Sequence, residues 1–113
     1  MKKYVRSMLL VLGASLLPAW AASFPERPVK MLVGFAAGGI TDITARQVAE
    51  NMSRTLGQPV IVDNRAGAGG NIATAELARA QPDGYTIMLA SPGQLVVNPL
   101  TQKSPGFDPK TQF

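Results

Sequence analysis

Apolar positions in this chain follow two spacings. Between Thr41 and Leu56 they recur helically: Ala45, Val48, Ala49, Met52 and Leu56 stand at i, i+3, i+4, i+7 and i+11, with Arg46, Gln47, Glu50 and Arg54 among the intervening positions. That spacing gathers one apolar stripe on one side of an α-helix and leaves the charges in water. Thr41 or Asp42 can cap its start, and Gly57 stands where the residue after a helix turns left-handed. On either side are short continuous apolar runs, Val29 to Phe35 and Val60-Ile61-Val62, which suit strands buried on both faces of a parallel sheet. A second helical run from Ile72 to Ala80 follows, with Asn71 as its N-cap. The turn Pro82-Asp83-Gly84 then leads to a third strand, Tyr85 to Ala90. The predicted order is βαβαβ.

Strands separated by single helices pair in parallel through right-handed crossovers, which brings all their carboxyl ends to one edge. That edge carries Phe35, Ala36, Ala37, Gly38 and Gly39 with Thr41 and Asp42. It also carries Ala66, Gly67, Ala68, Gly69, Gly70 and Asn71, and then Ser91-Pro92-Gly93. Glycine removes side chains, so main-chain N–H groups can face a ligand, and a helix start beside them favours an anion. A single such loop is read first as a tight strand-to-helix turn. Three on one edge favour binding, because ligands of open α/β sheets sit outside the carboxyl ends of the strands. Arg65 is the one cation beside a loop, and pairing with Asp63 is its competing role. Asp42 can meet a ligand amino or hydroxyl group, or simply serve the start of its helix.

The phosphate motifs fail on chemistry. Gly34-Phe35-Ala36-Ala37-Gly38-Gly39-Ile40-Thr41 has the glycine spacing and terminal threonine of a P-loop, but Ile40 occupies the lysine position. Counted from Gly67-x-Gly69, the third small position of a dinucleotide fingerprint falls on Ile72. A carboxylate remains the natural anion, since amides from two loops and the Ser91 hydroxyl can hold it without a fixed cation.

The first residues change the charge picture. Lys2, Lys3 and Arg6 precede the apolar run Met8 to Leu17, and Ala19-Trp20-Ala21 is a small-x-small cleavage signal, so residues 1–21 read as a secretory signal peptide cleaved after Ala21. Three of the eleven basic residues lie there and no acidic ones, so the net charge of +4 falls to +1 in the mature chain. No basic stripe remains to suggest nucleic acid. There is no cysteine and no histidine. Disulfide scaffolds, thiolate metal sites and every Ser-His or Cys-His nucleophile arrangement are thereby excluded, and neither a catalytic residue, a metal site nor a cofactor is expected. From Gln94 onward the pattern is ambiguous: Leu95 to Leu100 suits a short helix or an extended segment, and Thr101 to Gln112 is polar and turn-rich.

The ordered set Phe24-Pro25, Arg27-Pro28, Val33-Gly34-Phe35-Ala36-Ala37-Gly38-Gly39 with Asp42, Leu56-Gly57-Gln58-Pro59, Asn64-Arg65, Gly67-Ala68-Gly69-Gly70-Asn71, Pro82-Asp83-Gly84-Tyr85-Thr86, Asn98-Pro99 and Phe107-Asp108-Pro109 resembles the Bug family of extracytoplasmic solute receptors. These are the TctC-like binding proteins of tripartite tricarboxylate transporters. The resemblance implies a monomeric, periplasmic, non-enzymatic Venus-flytrap receptor of the type II-like class. Such a receptor holds a small organic acid (a di- or tricarboxylate or an acidic amino acid) and delivers it to membrane transporter subunits. It also implies that residues 22–113 are an incomplete N-terminal lobe, a βαβαβ open sheet, and that Phe35 to Asp42 and Ala66 to Asn71 hold the ligand carboxylate, with Ser91 beside them. The chain departs from the family pattern at Ala36-Ala37, where prolines are frequent, at Ala73, where glycine is common, and at Gln112, where an aspartate usually precedes the final phenylalanine. Two other readings stand beside this one: an exported phosphate- or nucleotide-handling α/β enzyme, and a truncated product without ligand function.

Overall fold

The computed structural model describes residues 23–113; the signal peptide expected over residues 1–21 lies outside them. Three strands, β1 (Val29–Val33), β2 (Val60–Asn64) and β3 (Thr86–Leu89), form one parallel sheet in the order β2-β1-β3. Met31 stands opposite both Val62 and Ile87 in the register. Helix α1 (Ile40–Leu56) joins β1 to β2, and α2 (Asn71–Arg79) joins β2 to β3. The first connection moves one way along the sheet and the second moves back across β1, so crossovers of one hand place the two helices on opposite faces.

The face toward α1 holds the larger core. Val29, Met31, Val33 and Val60 pack with Ala45 and Ala49, rimmed by Met52, Leu56, Val62, Ile87 and Leu89. Alanine at two successive turns lets the helix lie close to the sheet. Val48, counted in the apolar stripe, sits at its margin and is 36% exposed. By strand alternation Leu32 points to the other face, where it is fully buried; Ala73, Thr74 and Ala75 of α2 are buried as well.

Element ends differ from expectation in instructive ways. β1 stops at Val33, because Gly34 already lies against Gly70 of the neighbouring loop. β2 continues two residues beyond Val62, where Asp63 and Asn64 pair with Leu32 and Val33, and the Arg65 amide then donates to the Val33 carbonyl at 2.8 Å. Neither Thr41 nor Asp42 caps α1; Gly39 occupies the cap position without a side-chain bond. Asn71 is the first residue of α2 and Gly70 its cap. At the other end of α1 Gly57 is left-handed (φ 68°) and its amide bonds Ser53, as expected.

The ambiguous stretch after β3 is helical. Gly93–Val97 forms a π-helical turn that continues into α3 (Asn98–Thr101), with Pro99 in the first turn, where its missing N–H costs little. At the amino ends of the strands, the Arg27 guanidinium lies 3.9 Å from the Tyr85 ring centroid and 3.1 Å from Asp83, and Phe24 packs edge-on against Tyr85. Among the described residues no helix is long and apolar enough to cross a membrane.

Leu32→Ala empties a fully buried site and is expected to lower the unfolding free energy by about 2–5 kcal/mol. Ile61→Ala, at a position 55% exposed, is expected to cost less than about 0.5 kcal/mol. Denaturant titration of both variants checks the order, and equal losses would contradict the packing described.

Candidate functional site

Parallel pairing brings three loops to the carboxyl edge of the sheet: Gly34 to Gly39 after β1, Arg65 to Gly70 after β2, and Ala90 to Pro92 after β3. Ala36 to Gly39 and Ala66 to Gly69 are exposed, Phe35, Thr41 and Ser91 are half-buried, and Gly70 and Asn71 are buried. The candidate residues therefore share one edge but divide into an exposed rim and a buried support.

Asp42 belongs to the support. It is 3% exposed, and both carboxylate oxygens are engaged. Oδ2 accepts from the Gly38 amide at 2.9 Å and from Arg46 Nε at 3.0 Å, and Oδ1 accepts from Asn64 Nδ2 at 3.0 Å. Asn64 Nδ2 also donates to the Phe35 carbonyl at 3.0 Å, so this cluster ties the first loop to the end of β2. The Arg46 hydrogen bond, then the Gly38 amide and the Asn64 amide, lower the Asp42 pKa from 3.8 to about 2, against the opposing effect of burial.

The second loop runs through four successive residues of positive φ: Gly67 (137°), Ala68 (49°), Gly69 (64°) and Gly70 (92°). Ala68 is the only non-glycine among the described residues in this region, a conformation that the surrounding contacts must hold in place. One such contact is Asn98 Nδ2, which donates to the Gly69 carbonyl at 3.1 Å and to Asn71 Oδ1 at 2.6 Å; Asn71 Nδ2 in turn donates to Gln102 Oε1 at 2.6 Å. The Asn71 side chain thus ties α2 to the segment after β3.

Five of the candidate amides are satisfied within the chain. Gly38 donates to Asp42, Gly39 to Ala36, Gly70 to Gly67, Asn71 to Ala68 and Ser91 to Gln94. The amides of Ala37, Ala66, Gly67, Ala68 and Gly69 have no acceptor among the described residues, and they lie on the exposed rim. Cations are spent elsewhere. Arg65 pairs with Asp63 at 3.0 Å and Glu76 at 3.4 Å, which raise its pKa, and Lys30 approaches the same two acids at 3.9 and 3.6 Å. These half-exposed pairs contribute little stability. No cluster of acidic residues suited to a metal occurs among the described residues.

Among the supporting residues that escaped the sequence reading, two stand out. Asn64 was visible only as part of a motif, yet it joins β2 to the first loop. Gln94, in the stretch that read ambiguously, is fully buried beneath the edge, with its side chain between Gly70, Thr74 and Ser91. The available signal was indirect: Gly34 and Gly70 lack side chains where that amide lies. A cavity of about 590 Å³, lined by Arg27, Lys30, Ile61, Asp63, Tyr85 and Thr86, opens over the amino half of the strands, away from the loops.

An open parallel sheet with its glycine loops gathered on the carboxyl edge is the partial framework of a periplasmic binding protein, and solved proteins of that class superpose on it. Periplasmic binding protein BugD matches with a TM-score of 0.76 and 54% identity, over 80% of this chain and 30% of its own. MatC of Rhodopseudomonas palustris, with bound malate, matches with a TM-score of 0.75 and 38% identity over 80% of this chain and 31% of its own. An R. palustris protein with adipate matches with a TM-score of 0.74 and 41% identity over 78% and 29%. A UPF0065 protein of Bordetella bronchiseptica is 45% identical over 106 residues, 91% of this chain and 32% of its own. Residues 44–113 match the tripartite tricarboxylate transporter family receptor. The chain belongs to this TctC/Bug family of substrate-binding receptors, as its ordered motifs implied. It spans about a third of the length of the curated relatives it matches.

The depressed Asp42 pKa makes a signed prediction. Its stabilising contribution is complete above the ordinary value of 3.8 and is lost as the pH falls through about 2. Asp42→Asn is therefore expected to melt below the wild type at neutral pH, with the gap constant down to 3.8 and closing by about 2. Melting curves across that range check this, and a gap that persists at the acid end would contradict the assignment.

Proposed function

We propose that this chain is the ligand-holding first part of an extracytoplasmic receptor for small organic acids, and that the complete receptor delivers its ligand to the membrane subunits of a tripartite transporter. One carboxylate of the ligand accepts hydrogen bonds from the free amides of Ala37 and Ala66 to Gly69, while Thr41 and Ser91 supply hydroxyls. Asp42 and Asn71 support the loops from beneath, and Phe35 and Ala36 form the wall of the first loop. The observation that carries this reading is the set of exposed amides, without acceptors among the described residues, on two loops of one edge. Malate and adipate in two structural neighbours support the choice of a carboxylate.

Oriented amide dipoles suit an anion that must later be released, since they stabilise it without the stronger hold of a desolvated ion pair. The edge is open in this chain, and a second lobe closing over it would exclude water and strengthen each of these bonds. We place the protein in the periplasm as a monomer, exported by the leader over residues 1–21 and cleaved after Ala21, with residues 22–113 forming part of the N-terminal lobe.

Calorimetry of the complete gene product against di- and tricarboxylates and acidic amino acids is expected to give saturable binding for at least one compound. Gly38→Val should weaken it by about tenfold or more, because φ of +85° strains any branched residue there and the new side chain projects into open space over the first loop. Absence of binding across the whole panel would sink the proposal.

A further inference from the structure

Three loops from three strands have no covalent reason to keep a common spacing, yet one side chain touches all of them. Gln94 is 0% exposed. Its Oε1 accepts from the Ser91 amide at 2.9 Å, in the loop after β3. Its Nε2 donates to the Gly70 carbonyl at 3.2 Å, where the loop after β2 enters α2, and to Thr74 Oγ1 at 3.4 Å in the first turn of that helix. On the third side lies Gly34, the first residue after β1: a Cβ there would overlap the same Nε2 and stand 2.8 Å from the Gly70 Cα. A Cβ on Gly70 would likewise overlap the Gln94 side chain. Both glycines thus leave room for the glutamine, Gly34 also for the Gly70 backbone, while Gly70 in addition has a φ of +92°.

Only a primary carboxamide fits this position. It presents an acceptor and two donors on one neutral plane, and here the acceptor meets an N–H while the donors meet a carbonyl and a hydroxyl. Its orientation is fixed by those partners, since reversal would set Oε1 against the Gly70 carbonyl. Glutamate would lose the donors and bring a charge beneath loops that present amides outward, and asparagine is one methylene too short. Among the described residues no buried side-chain polar atom is left without a partner, so the node is complete.

We infer that Gln94 is the positioning residue that fastens the loops after β2 and β3 to each other beside the end of β1, and so sets the spacing of the amides there that receive the ligand. The ligand half of this inference rests on the carboxylate reading above; the holding half does not.

Gln94→Met keeps length and approximate volume while removing every hydrogen bond, which separates pinning from packing. In the complete gene product, NMR-detected amide exchange is expected to rise about tenfold or more at Ser91, Gly70 and Asn71, while Ala45 and Ala49 in α1 stay within about twofold of wild type. Acceleration confined to Ser91, which loses its own acceptor, would overturn the inference, as would no acceleration at all. Gln94→Leu, which likewise carries no donor or acceptor, should give the same pattern, and it decides the matter should the Met variant not fold. Calorimetry with sodium malate and sodium adipate supplies the ligand arm: affinity should fall about tenfold in Gln94→Met. A wild type that binds either compound with affinity unchanged in the variant overturns the ligand half. If the wild type binds no carboxylate, the receptor reading fails, and the exchange pattern alone still decides whether Gln94 holds the loops.

Discussion

The structure depends on β1 pairing in parallel with strands on both sides. Because β2 and β3 share its direction, each strand must release the chain at the same edge, and each return must cross a face of the sheet. The two crossovers move in opposite directions from strand to strand, so they cover opposite faces. The core is consequently split: a larger part lies under α1, with alanines at the contact, and a smaller part around Leu32 under α2. The gathering of glycine loops on one edge follows from strand direction.

A loop-rich edge is useful only when its loops hold their shape, and here two polar clusters, one reaching the surface and one buried, provide that. Asp42, Arg46 and Asn64 fasten the first loop to the end of β2, with the acid neutralised by an adjacent guanidinium. Gln94 fastens the second loop to the third. The two differ in chemistry for a physical reason. Arg46 is more than half exposed and keeps contact with water, so a charged pair there avoids most of the desolvation penalty. Gln94 lies where no water reaches it, and a neutral amide satisfies three partners without burying a charge.

What the sequence made legible was the part governed by periodicity. The stripe from Ala45 to Leu56 fixed α1, Gly57 fixed its end, and the β-branched runs located the strands closely enough to bring all three loops together. Element ends and caps were less legible, because Thr41, Asp42 and Asn71 are all good N-cap residues in isolation, yet other partners claimed the last two: Asp42 by the nearby Gly38 and Arg46 and the distant Asn64, Asn71 by the distant Asn98 and Gln102. Val62 looked like the end of β2 because Asp63 and Asn64 are polar, but register with Leu32 and Val33 carries the strand onward. Gln94 was opaque for a similar reason. A buried glutamine has no periodic signature, and its partners stand 3, 20 and 24 residues away.

The electrostatics of the edge set how it responds to its surroundings. The chain has no histidine, Asp42 titrates near 2, and Arg65 is held more firmly protonated by Asp63 and Glu76. None of these groups changes charge near neutral pH, and the free amides on the rim do not titrate. An anion resting there would therefore meet the same field across the neutral range, so any pH dependence contributed near this edge would come from the anion's own carboxyl groups. A short-range site built of dipoles is also less sensitive to salt than one built of exposed cations, because screening acts most strongly on separated solvent-exposed charges. For the carboxylate ligand proposed above, selectivity would have to come from shape and from groups beyond the first carboxylate, since amide dipoles would read that carboxylate and nothing else of the molecule that carries it.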